Sequence, residues 1–531
     1  MSKTGNFDLN FPGARIYCNT PEKRGSILSF LNGEKKKVEI PLLHSDMEDD
    51  LQRAIFNTTY NHEGKHLHDH LICPQLLHNI VLKLSSVYYA SLAIYEWNNG
   101  NRPYKYIPTP FTNWIELPQE KKEELLEDDD ISPSDVPMYS LQDAHKVLVG
   151  EMECDDNFTK SILLAALHYN KYRYNLRQYA YDGYNTELSI KAFTESSAFV
   201  QQSTEIALKY GEYGNELAGM IRQKSFQYFQ ELGKKQREKN IQIMPEDYIG
   251  YSIYTSAFTM IWRFLYQSKV KDEYWYQFIS YVLFWALSGN VLEGSKESNF
   301  PRNRLERLFN LDYMGIDLEL NKDSNIKELF NNPLETFKKW DYFIITAYAG
   351  QTILSISQGK AFKLDSNSTP IDFNRFFERL LGNIANMIQY AGSIGLVKVA
   401  NYLYNVANSS FYMKNLFLKD PNCFLQPVSY SNNICNFVNI PFCIEFDNVA
   451  PIREEEINEK SNKFGFQHNS VFGESLNKLY SNKQIPLLDW KLYVEAKDYI
   501  DFSECLFGVP TLDRPSEIIK QYLPNINPWF I

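Results

Sequence analysis

Residues 45 to 74 read SDMEDDLQRAIFNTTYNHEGKHLHDHLICP. Ser45-Asp46-Met47-Glu48 has the form of a capping box, in which Ser45 accepts from the backbone near Glu48 while Glu48 reaches back. A helix is expected to start there. Its apolar positions Met47, Leu51, Ile55 and Thr58 recur at three- and four-residue steps, and the same face continues into His62, His66 and Asp69. The two histidines are therefore expected to face inward. Pro74 should end the segment, because the residue before a proline is pushed out of helical geometry.

Within that helix, His62-Glu63-Gly64-Lys65-His66 is a His-Glu-x-x-His pattern. Residues four apart lie on nearly the same helical face, ~6 Å apart along the axis, so both imidazoles can converge on one metal ion. Glu63 is turned ~100° from His62, which suits it to accept a proton from a metal-activated water and return it to a leaving amine. Five of the nine histidines, His62, His66, His68, His70 and His78, fall close together. His70 would sit ~12 Å along the axis from His62, too far to share the ion. The metzincin variant wants Gly and His where Asp69 and Ile72 stand, so that subclass is excluded. Asp69 is better placed to orient a ligand histidine by a hydrogen bond.

A catalytic Zn2+ takes a third protein ligand. The best candidate is Glu195 in the segment 192–205, AFTESSAFVQQSTE, where Ala198 one turn on would let two helices approach closely. Gln202 and Glu205 continue near that face and are expected to bond back to the histidine rings or to Lys65. For the oxyanion, His168, Tyr169 and Tyr172 are candidates, with ordinary packing as the alternative role.

The stretch Tyr60 to Leu71, YNHEGKHLHDHL, followed at a distance by Thr194-Glu195-Ser196-Ser197-Ala198, resembles the two signatures of poorly characterised bacterial gluzincin-like metallopeptidases. The likeness covers about thirty residues of the 531. It implies a zincin-like catalytic region, zinc held by His62, His66 and Glu195, and Glu63 as base and then acid.

Outward from these motifs, the chain suggests a mainly α fold with minor β. Residues 1–44 carry β-like runs at Ala14–Tyr17 and Lys37–Ile40 and are expected to form a small β region. Residues 45–240 would be the zincin-like region, interrupted over 100–138 by a Pro-rich, acidic excursion. Residues 241–531 would be a mainly helical, aromatic-rich region for substrate or partner recognition, with short strand-like runs in 420–450 and 485–510. Trp275 to Leu292 approaches the length of a membrane span, but its polar interruptions favour a buried core helix.

A net charge of -11 and a pI near 5.5 offer no whole-chain positive field for nucleic acid or an anionic membrane. Seven scattered cysteines without a C-x-x-C pair, and no apolar run after Met1, suit a cytoplasmic protein. The expected partner is a protein or peptide substrate. Two other classes compete: a non-catalytic helical interaction protein with a structural or vestigial metal site, and a metal-dependent nuclease built on Asp489, Glu495 and Lys497. Neither a phosphate-binding G-x-x-x-x-G-K-[ST] loop nor a G-x-S-x-G elbow occurs.

Overall fold

The computed structural model describes residues 4–8, 13–17, 19–31, 34, 39–100, 107–109, 140–154, 156–180, 189–237, 251–267, 269–289, 300–313, 322–357, 372–395, 397–427, 442–445 and 528–530. The described chain is mostly helical with few strands. Two compact units interleave along the sequence: one comprises Met1–Leu77, Gln178–Phe377 and Ser409–Trp490, the other His78–Arg177, Glu378–Asn408 and Lys491–Ile531.

In the first unit, strands β1 (Gly5–Asp8) and β2 (Gly13–Tyr17) pair antiparallel, and β2 pairs in parallel with a strand from far along the chain, Phe442–Glu445. The run at 14–17 is a strand as expected. Glu39 and Ile40 are not in a strand, and Pro21–Leu31 forms a helix, α1, inside the segment expected to be β.

Helix α2 (Met47–Ile72) begins one residue later than a Ser45 cap would place it. Asp46 is the cap instead, its carboxylate accepting from Glu48 N at 2.8 Å and Asp49 N at 3.4 Å. Glu48, Asp49 and Asp50 then sit in the first turn, where the positive end of the helix dipole favours them. At the other end Cys73 is extended, as a residue before proline should be, and Pro74 opens α3 (Pro74–Asn98) at once.

Helix α2 packs on a long helix that contains Glu195; with α4 (Leu141–Val149) and α5 (Asn157–Ala180) intervening in the chain, it is α6 (Ile190–Arg237). Ala198 is fully buried, and Gln202 Nε2 donates across to Ile55 O and Thr58 Oγ1, each at 3.2 Å. A non-helical residue, Gly211, with φ 61° and ψ −132°, bends α6. Helix α7 (Tyr251–Gln267) lies along α6, with Phe258 N donating to Ser196 Oγ at 3.3 Å and the Phe199 and Phe258 rings in edge contact at 5.4 Å.

The apolar run expected to be a core helix is α8 (Trp275–Leu287), buried from Phe278 through Leu287. Phe284 meets Phe337, Phe417 and Phe424 at 6.2, 4.9 and 5.6 Å between ring centres. Among the described residues, no helix is long and apolar enough to cross a membrane.

In the second unit, α4 is closed by a capping box between Ser140 and Asp143 and ended by left-handed Gly150. Its Ala144 and Val147 pack on Leu163, Leu164 and Leu167 of α5. A short parallel pair joins Ile107–Thr109 to Pro528–Phe530. Apart from Ile107–Thr109, the excursion at 100–138 lies outside the described residues beyond Gly100, as does the strand-like run at 485–510.

Candidate metal centre

Helix α2 is unusual in being polar and buried almost all round over its second half. Thr58, Thr59, His62, Glu63, Lys65, His66, His68, Asp69 and His70 are all buried. Burying so many polar groups is costly unless each has a partner, so such a helix signals more than packing. One part of the explanation is electrostatic. Lys65 Nζ donates to Asp69 Oδ1 at 2.6 Å and lies 4.2 Å from the centre of the Phe424 ring, so its charge is shared between a carboxylate and a π face.

The other part is the histidine face. His62 Nε2 lies 3.4 Å, and His66 Nε2 3.2 Å, from Glu195 Oε2 on α6. Donor atoms of these three residues all fall within 4.8 Å of one another. A tetrahedral zinc with ligand bonds of ~2.0–2.1 Å has edges of ~3.3 Å, close to the two His–Glu separations. Two imidazole nitrogens and one carboxylate oxygen are also a donor set that zinc favours. The three side chains could hold a metal ion between α2 and α6.

Burial on its own would raise the Glu195 carboxyl pKa. The charge of His66 beside it, with His62 close by, instead holds it well below the usual carboxylate range. His66 moves the other way: burial would lower it, but Glu195, then Glu63 and Asp69, raise it. His68 and His70 are pushed down to about 3 by burial and so are neutral imidazoles. His70 Nδ1 bonds the His66 carbonyl at 2.6 Å, fixing the turn that carries a ligand rather than joining the cluster.

Of the residues singled out in the sequence, His62, Glu63, His66 and Glu195 come together on α2 and α6. Asp69 differs from expectation: its hydrogen bond goes to Lys65, and among the described residues it bonds neither ligand histidine. Its charge still reaches His66. Glu205 is ten residues past Glu195, ~15 Å along the helix axis, and is not part of the cluster. Gln202 is committed to Ile55 and Thr58 rather than to a histidine ring.

His168, Tyr169 and Tyr172 belong to the second unit and are engaged there. His168 bonds Leu164 O at 2.7 Å and stacks on Tyr89, while Tyr172 is buried with Lys83 Nζ 5.6 Å from its ring centre. Asp489, Glu495 and Lys497 lie outside the described residues.

Strand β1 lies within the small β region expected over residues 1–44, but its place against Glu63 was not foreseen. A Cβ on Gly5 would stand 2.3 Å from Glu63 Oε1 and 2.7 Å from Thr59 Cγ2, so the strand backbone lies directly on the Glu63 carboxylate. The Phe7 ring sits 5.8 Å from His66 and 4.5 Å from His70 between centroids. A glycine inside a strand often marks such a close approach, and that was the available signal. Comparison of the chain with protein-family models, curated proteins and solved structures finds no match.

Proposed function

We propose that this chain is a zinc-dependent hydrolase, a gluzincin-like metallopeptidase acting on a restricted protein or peptide substrate. The observation that carries this reading is the meeting of His62, His66 and Glu195 from two helices far apart in sequence, at His–Glu separations of 3.4 and 3.2 Å. His62 and His66 would hold the ion from one helical face and Glu195 from across the α2–α6 interface. Zinc, when bound, supplies a Lewis acid for the amide carbonyl and lowers the pKa of water to ~7.

Glu63 follows His62 directly, so the helix that holds the ligands also fixes the carboxylate beside them. In its ionised form it takes a proton from the attacking water and then gives it to the leaving amine. Buried Lys65 pairs with Asp69 Oδ1 at 2.6 Å, an ion pair one turn apart on the helix that carries the two histidines.

A second reading has its own support. His62, His66 and Glu63 are each less than a tenth exposed, as in a closed structural zinc site that pins α2 to α6. One experiment separates the two. The zinc-loaded chain and its Glu63→Gln variant are incubated with a proteome, and new protein termini are mapped. Hydrolysis predicts new termini with the wild type and a drop of ~10² or more in their rate of appearance with the variant, at equal zinc content. Identical termini from both would overturn the peptidase reading and leave the structural one.

A further inference from the structure

We propose that β1 is a strap closing the metal centre, and that a substrate reaches Glu63 only when β1 lifts from α2. Its consequence for catalysis rests on the hydrolase reading; the closure itself does not.

Three observations carry it. The groups that would do the chemistry are shut away: Glu63 is 4% exposed and His66 2%. No peptide of ordinary size can meet a carboxylate so enclosed, so something must move before a substrate can bind. The second observation identifies what covers them. Gly5 and Phe7 alternate onto the same face of β1, the one turned to α2; Gly5 lies against Glu63 and Thr59, and Phe7 against His66 and His70. Two successive inward positions of one strand thus cover the proposed base and one proposed ligand.

The third observation is how lightly the strand is tied. Among the described residues β1 is at the edge of its sheet, paired along one side, through the four-residue register Gly5↔Ile16, Asn6↔Arg15, Phe7↔Ala14 and Asp8↔Gly13. One further bond, Tyr17 N to Thr4 O at 3.0 Å, closes the pair. Helices α2 and α6, by contrast, hold each other through a long buried interface that also carries the ligands. Of the elements around the site, an edge strand is the one that can open locally while the ligand-bearing helices stay folded. Position 5 is also where the strap is most sensitive, because only glycine allows the backbone this close to Glu63.

The test is histidine labelling of the full metal-free chain with diethyl pyrocarbonate, read peptide by peptide in mass spectrometry. Gly5→Val forces a side chain into Glu63 and Thr59; Phe7→Ala removes the ring over His66 without adding a clash. Both variants are expected to raise labelling of His66 about 10-fold or more by favouring the locally open state. Exposed His145 and fully buried His68 serve as references and should label as in the wild type. Should Gly5→Val fail to fold, Phe7→Ala decides alone.

Wild-type labelling of His66 in folded variants would overturn the strap. So would a parallel rise at His68, which would mean that α2 itself had loosened. In a separate arm, zinc release from the loaded chain to a colorimetric chelator should be faster in the same variants. If the wild type takes up no zinc, the hydrolase reading fails, while the labelling result still decides the strap.

Discussion

Glu195 Oε2 lies 3.2 Å from His66 Nε2, and this contact ties the fold of the first unit to its proposed chemistry. The two residues belong to different helices, so whatever binds between them also holds α2 against α6. Loss of the carboxylate should therefore appear twice, in affinity and in stability. Glu195→Ala leaves two imidazoles, and zinc affinity should fall by at least the ~10 to 100-fold typical of lost supporting partners. In the wild type, free zinc at a thousandfold excess over its Kd should stabilise the fold by about 4 kcal/mol. Urea unfolding with zinc and with a chelator measures both effects. A zinc-dependent shift as large in Glu195→Ala as in the wild type would remove Glu195 from the site.

What the sequence disclosed and what it hid differ in range. The pairing of His62 with His66 is local: four residues on a helix bring two side chains together wherever that helix lies. The start of α2 was legible to within a residue, and the error came from choosing Ser45 over Asp46, two residues equally able to cap. Glu195 was reachable through Ala198, which one turn on marks a close helix contact, and through the resemblance carried by Thr194 to Ala198. The placement of β1 on α2 was not legible, since it depends on a sheet whose third strand is Phe442–Glu445. The hydrogen bonds of Asp69 and Gln202 differ from expectation for a related reason. Helical periodicity gives a face but not which neighbour reaches it first, and Lys65 and Thr58 were nearer partners than the histidine rings.

Asp50 anchors the entry to α2, and its carboxylate gives a test that depends on pH. One oxygen accepts from Leu43 N at 2.6 Å, and the other from His44 N at 2.8 Å and Tyr213 Oη at 2.7 Å. These bonds hold His44 in a left-handed conformation at φ 57° and join α6 beyond its bend to the start of α2. Burial would raise the Asp50 pKa, but the bond from Tyr213 and those from the two backbone amides together keep it below its ordinary value of 3.8. A depressed carboxyl adds stability that is fully present above the unfolded pKa of ~3.9 and is lost as pH falls through the folded value. Asp50→Ala should cost about 2 kcal/mol near neutrality, where three donors lose their acceptor. The gap between variant and wild type in chemical denaturation should narrow below about pH 4. A gap that stayed constant from pH 7 to pH 3 would show that the ionised carboxylate is not what stabilises this corner.

Glycine substitutions in two helices should act with opposite signs. Gly214 follows the bend of α6, and a Cβ there would stand 2.3 Å from Ile206 O and 3.1 Å from Ala207 Cα, both parts of a backbone that cannot swing aside. The bend itself depends on Gly211, whose φ of 61° with ψ of −132° lies outside the left-handed basin that asparagine tolerates. Gly214→Ala must therefore push the two halves of α6 apart, at an expected cost of about 2 to 3 kcal/mol for overpacking. Gly382 offers the converse case. It is exposed within the helix Phe373–Ser393, has no positive φ, and nothing lies within 4 Å of the place its Cβ would take. Gly382→Ala should stabilise by roughly 0.5 to 1 kcal/mol, through better helix propensity and a less mobile unfolded chain. Hydrogen exchange followed separately over α6 and over Phe373–Ser393 reads each effect where it arises. Protection in α6 that survived Gly214→Ala unchanged would mean that the two halves of the helix are not packed as closely as Gly214 and Ile206 require.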